Sequence, residues 1–116
     1  MTMPDAPPID NAMFIELQES AGADFVAELV DTFLEEAPRM LAELRETAAT
    51  ARPEAFRRAA HSLKSNANTF GATRLGTLAR ELELGGVPAG GGDAELDALA
   101  REYERVRVRL QELRRG

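Results

Sequence analysis

The chain carries one histidine, His61, and one lysine, Lys64, three residues apart. On a helix that spacing puts them on neighbouring turns of one face. Arg57, Ser65 and Asn68 fall around them. An unperturbed imidazole titrates near about 6.5, so most of it is neutral at pH 7. Cations beside it, here Arg57 and Lys64, disfavour protonation further. A neutral ring nitrogen is a nucleophile, and the same cations can hold negative oxygens delivered to it. Ser65, one turn beyond His61, is small and leaves room for a group with several oxygens. Nucleophile, cation and clearance together fit phosphoryl acceptance by histidine.

A lone histidine is ordinarily a satisfied core residue or an idle surface one. The apolar residues around it decide against the core. Phe56, Ala60, Leu63, Ala67 and Phe70 form one stripe. On a helical wheel His61 lies about 160° from the middle of that stripe. Burying it would expose two phenylalanines. The idle surface reading stays open on position alone. Asn68 is open in the same way, as a rim contact or a solvated helix residue. A metal site is disfavoured, because one histidine and no cysteine leave only scattered carboxylates beside two cations.

The element that positions His61 belongs to a chain of 116 residues, enough for one domain with a real core. Without cysteine there is no disulfide framework, zinc finger or thiol nucleophile. Hydrophobic residues at 44% and charged residues at 29% describe a globular chain. No apolar run approaches the roughly 20 residues of a membrane span. The N-terminus lacks the basic and apolar regions of a secretory signal, so a cytoplasmic location is expected. A net charge of −6 argues against nucleic acid as a partner.

Every periodic stretch has the helical period, and no strand is expected. Residues 1–8 are Pro-rich and expected to be loose, with one domain over residues 9–116. Asp10 reads as the N-cap of a short first helix, with Ile9 and Phe14 as a hydrophobic staple and Gly22 as its stop. Asp24 reads as the cap of a long second helix carrying Val26, Leu29, Val30, Phe33, Ala37, Met40, Leu41 and Leu44. Pro38 should kink it, and it should end near Ala51. Pro53 opens the helix of His61, and Gly71 closes it. A fourth helix carries Leu75, Leu78, Ala79 and Leu82. Residues 85–93, GGVPAGGGD, read as a flexible connection. Asp93 reads as the cap of the last helix, whose seam is Leu96, Leu99, Tyr103, Val106, Leu110 and Leu113. Short connections make neighbours antiparallel. The expected fold is all-α: an up-and-down antiparallel four-helix bundle with a short accessory N-terminal helix.

The stretch Ala59 to Ala72, AAHSLKSNANTFGA, resembles the signature of histidine-containing phosphotransfer (HPt) domains. His61, Leu63, Lys64, Gly71 and Ala72 match it position by position, and the helix order agrees over nearly the whole chain. Ser65 departs from the pattern, which most often has glycine there. The resemblance implies a phosphoryl carrier without ATP-dependent kinase activity and without a cofactor of its own. His61 would accept the group on Nε2 from a receiver-domain aspartyl phosphate, or from a hybrid sensor histidine kinase, and pass it to a response-regulator receiver. Lys64 would stabilise phosphate oxygens, Arg57 would assist, and Ser65 would give clearance or a donor. Arg80 and Glu83 lie where such domains often carry a polar residue facing the histidine; ordinary solvated charge is the favoured reading of Glu83. The receiver would dock on the first two long helices and the histidine helix, with Ile9, Met13, Phe14 and Phe25 as candidate apolar contacts beside Asn68 and Arg80. Each of the four could equally be core. A monomer is expected. A docking module without phosphotransfer and a purely structural bundle are the competing readings. The initial Met and compact length suggest a free-standing protein, and the preference for arginine over lysine suggests a bacterial source.

Overall fold

The computed structural model describes residues 6–115. Five α-helices account for most of them: α1 (Asn11–Ala21), α2 (Ala23–Ala49), α3 (Pro53–Thr69), α4 (Thr73–Gly85) and α5 (Asp93–Arg115). No strand occurs among the described residues. α3 packs against α2 and α4, α5 packs against α2 and α4, and α1 lies on α2.

The apolar stripes form one core. Val26, Val30, Phe33, Ala37 and Leu44 of α2 meet Phe56, Ala60, Leu63 and Ala67 of α3. Leu75 and Ala79 of α4 join them, with Leu99, Val106 and Leu110 of α5. Phe33 sits between Phe70 and Tyr103, with ring centroids 5.5 and 6.0 Å away. The expected staple is present, since Asp10 accepts from Met13 N at 3.1 Å and Ile9 and Phe14 are buried.

Three helix boundaries differ from the sequence expectation. Gly22, at φ 96°, ends α1 and also opens α2, so the second helix starts two residues earlier than a cap at Asp24 allows. Asp24 instead lies in the first turn of α2, where its charge suits the dipole. Asp93 is the first residue of α5, because the carbonyl of Gly92 already accepts from Leu96 N at 2.9 Å. α2 continues through Pro38 as one helix, as expected, but stops at Ala49.

The supposedly loose parts carry order of their own. Residues 1–5 lie outside the described residues, but Ala6 is tied down by Arg105, whose Nη2 donates to its carbonyl at 2.7 Å. The glycine-rich connection includes a single 3-10 turn, Ala89–Gly91, and Val87 packs on the core.

Helices α2 and α3 end in the same way. Ala51 N donates to Ala48 O and Arg52 N to Thr47 O; Gly71 N donates to Asn68 O and Ala72 N to Ala67 O. Both are Schellman ends with one left-handed residue, Ala51 at φ 52° and Gly71 at φ 81°. Glycine holds that conformation without strain, whereas alanine does not. A Cβ on Gly71 would also press on Asp10 O and Met13 Cβ, both at 3.1 Å. Ala51→Gly is therefore expected to raise stability by about 0.5–1 kcal/mol, and Gly71→Ala to lower it by at least about 1 kcal/mol. Urea unfolding of both variants checks the opposite signs.

Candidate functional site

α3 is amphipathic by composition, and its polar side carries His61. Burial of Phe56, Ala60, Leu63 and Ala67 fixes the rotation of the helix, and the imidazole is left 56% exposed. Lys64 follows on the next turn, 24% exposed.

What lies between them comes from α4. Glu83 reaches across with Oε2 at 2.7 Å from His61 Nδ1 and Oε1 at 2.8 Å from Lys64 Nζ. Its side chain is only 13% exposed. The bond from Lys64, then that from His61, holds the Glu83 carboxyl below the usual carboxylate range. It is therefore ionised at neutral pH and can only accept hydrogen bonds. The proton of the shared bond belongs to Nδ1, and the lone pair of a neutral ring belongs to Nε2.

This corrects the reading of Glu83 as ordinary solvated charge. It also corrects a picture in which cations alone surround the ring. The missing information was the register of the α3–α4 hairpin. His61 and Glu83 lie equally far in sequence on either side of Ala72, and so do Asn68 and Gly76, which also meet. Folding the chain back about the Gly71–Ala72 turn would have paired them.

The other expected residues are dispersed. Arg57 is on the histidine helix, but its Nη2 pairs with Glu54 at 3.4 Å rather than with the site. Ser65 is exposed one turn beyond His61, and its carbonyl accepts from Thr69 Oγ1 at 3.0 Å. Asn68 is exposed and lies over Gly76, where an added Cβ would collide with its Oδ1. Its amide thus occupies a helix–helix contact. Arg80 is exposed and has no ion-pair partner among the described residues. Met13 and Phe25 are exposed at 39% and 52%. Phe14 and Ile9 are 1% exposed, so both are core and not docking contacts. The staple that starts α1 needs them inside.

Among the described residues, no group of three or more His, Asp or Glu side chains gathers as a metal site would require. No helix there is long and apolar enough to cross a membrane.

The family model described as Hpt domain matches residues 28–115. Among solved structures, the chain resembles histidine-containing phosphotransfer protein B (HptB) from Pseudomonas aeruginosa PAO1. Identity is 28%, the match covers 96% of this chain and 97% of that one, and the TM-score is 0.83. No curated protein matches the chain. With a family match over most of its length, an exposed histidine on the expected helix and a lysine three residues on, the chain belongs to the Hpt domain family.

Proposed function

We propose that His61 is the phosphoryl acceptor of a phosphorelay intermediate. It takes the group from an aspartyl phosphate of a receiver domain, free or part of a hybrid sensor kinase, and returns it to the receiver of a response regulator. The observation that carries this reading is the 2.7 Å contact between Glu83 and Nδ1 of an otherwise exposed ring. It leaves Nε2 as the attacking atom.

The Nε2 lone pair attacks phosphorus, and the P–O bond to the aspartyl carboxylate breaks with its electron pair leaving on that oxygen. The phosphorylated ring keeps its proton on Nδ1 and becomes cationic. Glu83 already faces that side and offsets the new charge. Lys64 has three N–H donors and spends one on Glu83. The others serve the phosphoryl oxygens. Ser65 gives the group clearance. The catalytic metal and nucleotide chemistry belong to the partners. Asn68 lies at the rim, and Arg80 meets the partner from α4.

The docking receiver would cover His61 and the exposed Met13 and Phe25. A carrier that must release one partner to meet the next needs a modest interface, below about 1,200 Å². The same reading takes the four long helices as an up-and-down bundle. The pairs His61–Glu83, Arg45–Asp97 and Asp31–Arg114 support it, since numbers rise on one helix as they fall on its neighbour.

Incubation with a phosphorylated receiver is expected to give acid-labile, alkali-stable label on the wild type and none on His61→Gln. Label persisting on that variant refutes the site. No label on the wild type with several cognate receivers refutes the activity.

Glu83→Ala is expected to slow transfer at least about tenfold, the scale of one charge-assisted hydrogen bond. Ring ¹⁵N shifts should show its neutral histidine spread over both tautomers. Because the Glu83 carboxyl titrates below 4.5 in the fold, its stabilising contribution is complete above that value and is lost as pH falls through the lowered one. The gap in thermal midpoint between wild type and Glu83→Gln should therefore be present at pH 7 and close in acid.

A further inference from the structure

One large apolar side chain beside the site has no part in the phosphoryl chemistry. Leu84 is 70% exposed, more than Met13, Ile15, Phe25 or Val108. A single exposed leucine is ordinary on a protein surface, so its exposure alone signals nothing. Its position does.

Leu84 follows Glu83, whose Oε2 lies 2.7 Å from Nδ1 of His61. Consecutive Cα atoms are about 3.8 Å apart, so Leu84 stands on α4 at the level of the imidazole. Counted from Glu83 at about 100° per residue, the buried Leu75, Ala79 and Leu82 centre near about −70°. Leu84 falls at about 100° and Arg80 at about 60°, both away from that core direction. Arg80 thus stands between Leu84 and the side of α4 that meets α3. It is exposed and has no ion-pair partner among the described residues. A bare leucine and an unspent cation flank the histidine on one side.

Transient interfaces are small. About 1,200 Å² in total takes about 600 Å² from each partner, and a round patch of that area reaches about 14 Å from its centre. The incoming phosphoryl group must arrive at Nε2, so His61 lies near the centre. Met13 lies beside Gly71, about 15 Å along α3 from His61, and so reaches only the margin. Leu84 falls well inside. Binding energy concentrates on anchors near the centre of an interface, ringed by contacts that exclude water.

We propose that Leu84 is the apolar anchor of the docking surface, with Arg80 beside it, and that the receiver domain seats across the α3–α4 face. The receiver meets Leu84 with an apolar side chain and Arg80 with an anionic one. This surface rests on the phosphorelay reading for the identity of its partner.

The test is a titration of a cognate receiver domain into ¹⁵N-labelled protein, in the wild-type and His61→Gln backgrounds, so that docking is measured apart from transfer. Leu84→Gln is expected to weaken binding about tenfold in both, and to raise KM for transfer by a similar factor at unchanged kcat. Arg80→Glu should weaken binding about tenfold at low salt and less at high salt. Val108→Gln is the control, on α5 beside Pro8, and should bind as the wild type does. All three side chains are exposed, so thermal midpoints should not move. Labelling of His61 by phosphoramidate needs no docking and should be the same in Leu84→Gln. A wild type that takes label while Leu84→Gln binds as tightly, or a Val108→Gln variant that weakens binding as much, overturns this surface alone. A chain that takes no label and binds no cognate receiver overturns both readings. Binding that depends on Leu84 without any label supports the surface and overturns the transfer.

Discussion

A single carboxylate, placed between an imidazole and an ammonium group, governs the chemistry of this surface. Glu83 binds His61 through one oxygen and Lys64 through the other. Because it is ionised, it can only accept, and that one restriction assigns the ring proton. Without it the two nitrogens of an exposed imidazole would compete for the proton. The same carboxylate anchors Lys64 near the face where phosphate oxygens would arrive. Three side chains that would be mobile alone are held by each other.

That clasp depends on two helices keeping their register. Hydrophobic burial along α3 sets its rotation, with Phe56, Leu63 and Ala67 inside and His61 therefore out. Gly76 lets α4 approach closely enough for Asn68 to lie over it. Gly71 turns the chain between them in a left-handed conformation and also receives Asp10 N at 2.8 Å, which ties down the start of α1. A turn, a small residue and an apolar stripe thus act together to place Glu83 opposite His61. None of the three touches the ring.

The charged surface follows a second logic. Most ion pairs here are exposed, such as Arg107 with Glu104 and Arg109 with Glu112, and each contributes little in water. Glu102 differs, because its carboxylate is inside and its arginine partners are outside. Its place on α5, next to the seam residue Tyr103, gave no hint of burial, because the seam positions account for the periodicity without it. Only the neighbouring arginines of α4 and α5 together make that position tolerable. Arg57 shows the opposite case. Its proximity to His61 in sequence suggested a role, yet Glu54 on its own helix is the partner it finds.

From residue order alone came the five helices, the core stripes, the staple of Ile9 and Phe14, and the outward face of His61 with Lys64 beside it. These are local properties: period, capping chemistry and the cost of exposing phenylalanine all act within a few turns. Helix starts at Gly22 and Gly92 were missed because a positive φ at glycine can open a helix before the acidic residue that would normally cap it. The carboxylate on Nδ1, the burial of Glu102 and the removal of Phe14 from the docking surface were decided by packing between helices. Such contacts join residues distant in sequence, and their sign and strength depend on how far two helices slide and rotate against each other. No local pattern in the chain encodes that displacement; the shared core settles it once all the stripes are buried together.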